Sequence, residues 1–77
     1  MRVTAHIEQP FGSLYIEGEQ PFLVVSADRR KPLEGPWIVV DADGANAVRH
    51  TDGLRAVFDM RQAPVAIAAQ LNRARAA

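Results

Sequence analysis

The alternation of apolar and polar side chains in two stretches near the N-terminus constrains the fold most strongly. The stretches are residues 3–8, VTAHIE, and residues 13–17, SLYIE. Their apolar positions are Val3, Ala5, Ile7, Leu14 and Ile16. A period of two is typical of a β-strand that buries one face and exposes the other. Between the stretches, Pro10 and Gly12 favour a turn, because proline presets its backbone angle and glycine accepts a positive φ. We therefore predict a β-hairpin.

Two later stretches are apolar without alternating. Residues 22–27 read FLVVSA and residues 37–40 read WIVV. Apolar side chains on both faces are expected of strands that are covered on both sides, so we place these two strands in the centre of the sheet. The polar stretch between them, residues 28–36, contains two prolines and a glycine, which predicts the longest loop of the chain.

The stretch around the dipeptide Asp52-Gly53 permits two interpretations. As strands, residues 47–51 and 54–58 would flank a two-residue type I′ turn, for which Asp-Gly is a strong signal, and His50 would face Arg55. As a helix that begins near Asp52, the same stretch would carry its apolar residues on one face. We favour the hairpin, because a glycine in the first turn of a helix is costly.

The C-terminal stretch predicts a helix that starts near Pro64, since proline suits the first turn and good helix formers follow it. Ile67 and Leu71 lie one turn apart and define its buried side. Arg73 and Arg75 would lie in its last turn, where their positive charges interact favourably with the negative end of the helix dipole. The expected fold is α+β: a small antiparallel β-meander of five to six strands, as a sheet or a partly open barrel, with one C-terminal α-helix packed on it.

Composition limits what can stabilise this fold. The 77 residues form one domain, residues 1–77, and contain no cysteine, which excludes disulfides and thiolate zinc sites. Domains this small often need additional support, so we expect self-association as a homo-oligomer or binding to a partner. No apolar run approaches the eighteen or so residues that span a bilayer, and the N-terminus has no signal-peptide pattern. We therefore expect a cytoplasmic protein without a membrane partner.

The cluster of polar residues between Asp41 and Asp52 resembles a metal site only superficially. In an EF-hand loop that began at Asp41, alanine would occupy the fifth position and the glycine would come too early, at Gly44. Asp-Ala-Asp-Gly after an apolar strand is more typical of a turn. The sequence also lacks the motifs of nucleophilic, metal-dependent and phosphate-binding enzymes. We predict no cofactor and no catalytic site.

Arginines and one lysine raise the possibility of nucleic-acid binding. The acidic and basic residues balance at nine each, which weakens long-range attraction to phosphates. A local basic surface could still form from the loop residues Arg29, Arg30 and Lys31 together with Arg73 and Arg75 of the helix. A nucleic-acid-binding module that uses this loop and helix is our alternative hypothesis.

The leading hypothesis is a small non-enzymatic protein-interaction or regulatory module that binds another protein. Exposed aromatic residues often supply much of the energy of interfaces, which selects Phe11 in the first turn and Tyr15 on the second strand. Arg49, His50 and Arg55 would form a small positive group on the second hairpin. The abundance of alanine and arginine is typical of GC-rich genomes, which favours a phage or bacterial accessory factor.

Overall fold

The computed structural model describes residues 1–10 and 12–74, which form five strands and one helix. The elements are β1 (Arg2–Gln9), β2 (Gly12–Glu19), β3 (Leu23–Ser26), β4 (Trp37–Val40), β5 (Val48–His50) and α1 (Gln62–Asn72). The α+β class with a C-terminal helix is confirmed. All strand pairs are antiparallel, and they form a three-stranded sheet, β1-β2-β5, and a two-stranded sheet, β3-β4.

The first hairpin follows the alternation in the sequence. Val3 lies opposite Gly18 and Ile7 lies opposite Leu14, so the apolar residues of both strands share one face. Leu14 and Ile16 are almost fully buried in the core on that face. The polar residues between them form the outer face of the sheet.

The simple meander is not observed, because β2 pairs with β5 instead of β3. Three residues pair, with Tyr15 opposite Arg49. β2 ends at Glu19 and β3 begins at Leu23 in the other sheet, so the second edge of β2 is taken by a strand that comes later in the chain.

Residues 45–58 connect the two sheets. The backbone of Ala47 bonds to both, since its N–H donates to the Val39 carbonyl and its carbonyl accepts from the Glu17 N–H, each at 3.0 Å. Farther along, Trp37 and Phe58 exchange backbone hydrogen bonds of 2.7 and 2.8 Å. The result is a curved, open arrangement and not a closed barrel.

The chain reverses at Asp52-Gly53, as the hairpin interpretation predicts, but the register differs by one residue. The Gly53 N–H donates to the His50 carbonyl, and the His50 N–H donates to the Leu54 carbonyl. The loop therefore has three residues and ends on Gly53, which has a φ of 86°. As a consequence Arg55 lies opposite Arg49, and the predicted pairing with His50 is wrong. Within the described residues, the chain after this turn makes isolated bridges at Arg55 and Phe58 and forms no sixth strand.

Helix α1 begins two residues before Pro64 and packs Ile67, Ala68 and Leu71 into the core. Its C-terminal end is held by side chains. The Gln20 amide donates to the carbonyls of Leu71 and Ala74 at 2.7 and 2.8 Å. Arg73 lies at the C-cap, one residue beyond the helix, and the position predicted for Arg75 lies outside the described residues. No helix in the described part of the chain is long and apolar enough to cross a membrane.

Candidate functional site: an aliphatic groove on the open face of β3 and β4

Strands β3 and β4 have two apolar faces; on the second face the chain buries the β4 side chains Ile38 and Val40 but leaves those of β3 partly exposed. On the inner face, Val39 belongs to the core and Val24 packs against it. On the other face, Val25 pairs with Ile38 and Leu23 pairs with Val40. These four side chains lie outside the core cluster. The prediction that both faces are covered is confirmed for β4, where residues 38–40 are buried. It is wrong for β3, where Leu23 is 54% exposed and Val25 is 38% exposed.

A groove of about 520 Å³ lies over this open face, and we call it the aliphatic groove. Its floor consists of Val25, Ile38 and Val40. One wall comes from the loop after β3 and the other from the chain after β4. The wall residues include Asp28, Arg29, Pro32, Gly44, Asn46 and Arg55.

Ser26 holds the first wall in place. This residue is buried at the end of β3, and its hydroxyl donates to the Glu34 carbonyl while accepting a 3.2 Å hydrogen bond from the Asp28 N–H. The Asp28 carboxylate in turn accepts from the Arg30 N–H at 2.9 Å. These bonds fold the loop back toward the strand from which it starts. Arg29, between the two anchored positions, is exposed on the wall of the groove.

Asp41 shapes the second wall. It is only 6% exposed, and its carboxylate accepts backbone hydrogen bonds from Glu19 at 3.1 Å and from Asp43 and Ala45 at 3.0 Å each. The bond from the Glu19 N–H is the main reason why the pKa of Asp41 is lowered, since donors stabilise the charged carboxylate. The turn held in this way carries Gly44 and Asn46 to the groove. The aspartate cluster therefore forms a turn, as its sequence predicts.

Gly18 allows Asp41 to come this close to the three-stranded sheet. A Cβ atom at Gly18 would lie 2.7 Å from the Asp41 Cβ and 2.9 Å from its Oδ2. Any larger residue would push the carboxylate away from its three donors. The contact therefore fixes how the β4 turn sits against β2.

The rim of the groove carries unbalanced positive charge. In the same loop, Arg30 lies 3.5 Å from the Asp28 carboxylate and Lys31 lies 4.0 Å from that of Glu34. Arg29 and Arg55 have no ion-pair partner among the residues that the structure describes. The structure therefore brings two sequence-predicted site residues, from distant parts of the chain, to one groove. Sequence reasoning selected both arginines but missed the aliphatic floor beneath them.

Tyr15 and Arg49 lie opposite one another on the outer face of the three-stranded sheet and do not line the groove, although the backbone of Arg49 pairs with that of Arg55. The Tyr15 ring stacks on His6, with 4.7 Å between centroids and nearly parallel planes. The Arg49 guanidinium donates to the Gly53 carbonyl at 2.9 Å. His50 pairs with Leu14 and so points to the opposite face, which separates it from Arg49. Phe11 lies outside the described residues.

A polar hollow of about 500 Å³ lies on the same outer face, next to Tyr15. An ion pair already occupies part of it, because Arg2 donates to Glu17 at 2.6 Å. This contact raises the pKa of Arg2. Arg2 and Glu17 are therefore matched within the hollow, whereas Arg49, which also lines it, has no ion-pair partner among the described residues.

The two basic segments proposed for nucleic acid lie at opposite ends of β3. The end of α1 is bound to Phe22, which precedes the strand, whereas the loop with Arg29, Arg30 and Lys31 is anchored at Ser26, its last residue. Arg73 donates to the Ala69 carbonyl of its own helix at 3.2 Å. The loop and the helix end are therefore separated by the length of this four-residue strand.

The comparisons and the side-chain geometry add no chemistry to this site. No protein-family model, no curated protein and no solved structure matches the chain. In residues 1–10 and 12–74, no group of three or more metal-ligating His, Cys, Asp or Glu side chains is present. The groove is suited to non-covalent contact through aliphatic surface and two arginines.

Proposed function

We propose that this protein is a non-enzymatic interaction or regulatory module that acts without a cofactor and binds another protein in the aliphatic groove. The observation that carries the proposal is that β3 leaves two aliphatic side chains exposed on one face. Val25 lines the groove together with two arginines that have no ion-pair partner among the described residues, and Leu23 lies on the same face outside the groove lining. Contiguous exposed apolar surface with a polar rim is a feature of protein-binding sites.

The chemistry of the groove defines the partner segment. Aliphatic side chains on the floor favour an apolar segment, and Arg29 and Arg55 favour a carboxylate beside it, which an arginine can bind through two hydrogen bonds. Full burial of an aliphatic side chain contributes about 1.5 to 3 kcal/mol. Since Leu23 and Val25 are about half exposed, a segment that fills the groove and extends over Leu23 would gain about 2 kcal/mol, or about thirtyfold in affinity. This gain suits a reversible regulatory contact.

A pair of matched variants tests the proposal. Val25 in the groove and Val57 outside it are exposed to similar extents, 38% and 42%, so Val25→Asp and Val57→Asp introduce the same charge at comparable cost to folding. We expect a partner captured from nuclease-treated host extract to be retained by the wild type and by Val57→Asp, and to be lost by Val25→Asp. Melting curves of both variants confirm that they fold.

The rim is tested separately by replacing Arg29 and Arg55 with alanine. If a carboxylate of the partner binds between them, the double variant weakens binding to the purified partner about tenfold or more, and the loss shrinks as salt is raised.

Equal binding by Val25→Asp and the wild type would refute the groove as the site. Capture that disappears on nuclease treatment would instead support the nucleic-acid hypothesis.

A further inference from the structure

Strand β1 presents an unpaired edge along its whole length. It is eight residues long and lies at the end of the order β1-β2-β5. The Gln20 N–H bonds to the Met1 carbonyl, so odd-numbered residues of β1 exchange hydrogen bonds with β2. The N–H and C=O groups of Arg2, Thr4, His6 and Glu8 therefore point away from the sheet. No described residue pairs with them.

The edge of β3, by contrast, is protected at both ends. The Asn72 side chain bonds both the N–H and the carbonyl of Phe22, and the loop anchored on Ser26 closes the other end. Proteins usually protect edge strands with prolines, bulges, inward charges or covering segments. β1 has no proline between Arg2 and Gln9, and its register with β2 is continuous. It is the more available edge for adding a strand.

We propose that two copies of this chain dimerise by antiparallel pairing of their β1 strands about a two-fold axis at Ala5. This register places Arg2 opposite Glu8 of the second copy and Thr4 opposite His6, so all the outward backbone groups are paired. On the other face, Val3 meets Ile7 of the second copy. The two three-stranded sheets become one continuous sheet.

Charge complementarity selects this register. Because only even-numbered residues carry free backbone groups, the strands can shift only in steps of two. A shift of two residues in one direction places Arg2 opposite His6 of the second copy. A shift in the other direction places Arg2 opposite Pro10, outside β1. Each shift also loses one hydrogen-bonded pair. Only the proposed register joins opposite charges, which stabilises a cross-strand pair. Both side chains are exposed, Arg2 to 56% and Glu8 to 81%. Because Arg2 also bonds Glu17 of its own chain at 2.6 Å, its guanidinium would contact one carboxylate from each copy in the dimer.

The dimer also supplies the support that a short chain without disulfides needs. Val3 is already buried, whereas Ala5 and Ile7 are only partly buried at the edge of the core. Pairing would cover Ile7 with Val3 of the second copy and extend the apolar face across the axis. Oligomerisation is a common source of stability for domains of this size.

A charge-reversal experiment tests both the pairing and its register. Sedimentation across a range of concentrations should show a dimer for the wild type. Arg2→Glu and Glu8→Arg should each weaken dimerisation about tenfold or more, because each places like charges opposite one another in the homodimer. Glu8→Arg is the decisive variant, since Arg2→Glu also removes the ion pair with Glu17 of the same chain. Mixed together, the two variants should form a heterodimer, since one wild-type pair and one reversed pair then face each other. Asp59→Arg, the same charge change at an exposed acid elsewhere, should leave dimerisation unchanged.

Hydrogen exchange provides a second test that does not depend on variants. The backbone amides of Thr4 and His6 should be protected at concentrations where the wild type is dimeric and should exchange rapidly on dilution, whereas those of Ala5 and Ile7 should stay protected. A strictly monomeric wild type at millimolar concentration would overturn the proposal. So would a dimer whose Thr4 and His6 amides exchange freely, or one that Glu8→Arg does not weaken.

Discussion

Replacing Asn72 with alanine should reveal how α1 is fastened to the sheet. The Asn72 Oδ1 accepts a 2.6 Å hydrogen bond from the Phe22 N–H, and its Nδ2 donates a 2.9 Å bond to the Phe22 carbonyl. The side-chain amide thus binds the backbone as a neighbouring strand would. Phe22 itself is 1% exposed and belongs to the core, so its backbone groups have little access to other partners.

The expected loss of stability follows from these two bonds. Each intramolecular hydrogen bond contributes about 1 kcal/mol net, so Asn72→Ala should remove about 2 kcal/mol. Alanine is the better helix former by a few tenths of a kcal/mol, which lowers the net loss slightly. For a chain of this length, about 1 kcal/mol shifts Tm by roughly 4 to 8 °C, which predicts a decrease of about 6 to 14 °C.

Urea unfolding and thermal melting measure this loss directly. The urea midpoint should fall while the slope stays constant, because the surface exposed on unfolding hardly changes. Gln70→Ala is the matched control, since Gln70 is an exposed amide of the same helix, and it should change stability by less than about 0.5 kcal/mol. Asn72→Asp keeps the acceptor but loses the donor, so it should also be destabilising. A loss below about 0.5 kcal/mol for Asn72→Ala would refute the reasoning.

Three further perturbations test separate contacts. Gly18→Ala should destabilise the fold by about 1 to 3 kcal/mol in urea unfolding, because its Cβ would lie 2.7 Å from that of Asp41, whereas Ser13→Ala on the same strand should be nearly neutral. The pKa of Asp41 is lowered in the folded state, so the carboxylate stabilises the fold above its unfolded pKa, and this stability is lost as pH falls through the folded pKa. Asp41→Asn should therefore make the free energy of unfolding less dependent on pH in the acidic range. An unchanged pH dependence would contradict the assignment. Arg61→Ala should cost about 0.5 to 1 kcal/mol and change the fluorescence of Trp37, the only tryptophan, since the guanidinium carbon lies 5.5 Å from the ring centroid.

Features that depend on neighbours in the sequence could be predicted well. The β1-β2 hairpin follows from strict alternation on either side of Pro10 and Gly12, and the helix follows from a run of good helix formers after Pro64. The Asp41 turn follows from aspartate and glycine at turn positions. In each case the residues that decide the structure lie within a few positions of one another.

The pairing of strands could not be predicted in the same way. β5 occupies the edge of β2 more than thirty residues after β2 begins, and nothing in its three residues specifies that partner. The register of the second hairpin was missed because Asp-Gly also fits a three-residue loop that ends on glycine. Likewise, Arg29 and Arg55 meet at one groove only because the loop anchored on Ser26 and the second hairpin fold toward the same face.

The open face of β3 and β4 shows where the sequence and the folded chain disagree. Strands β3 and β4 carry apolar side chains on both faces, which is typical of strands that are covered on both sides. The chain places α1 and the core on one side and leaves Leu23 and Val25 exposed on the other. The exposed part of an aliphatic side chain gains nothing in the isolated chain, whereas a polar residue there would be better solvated. The apolar pattern is therefore better suited to a complex in which a second protein supplies the missing cover, and this argues for the groove as the binding surface.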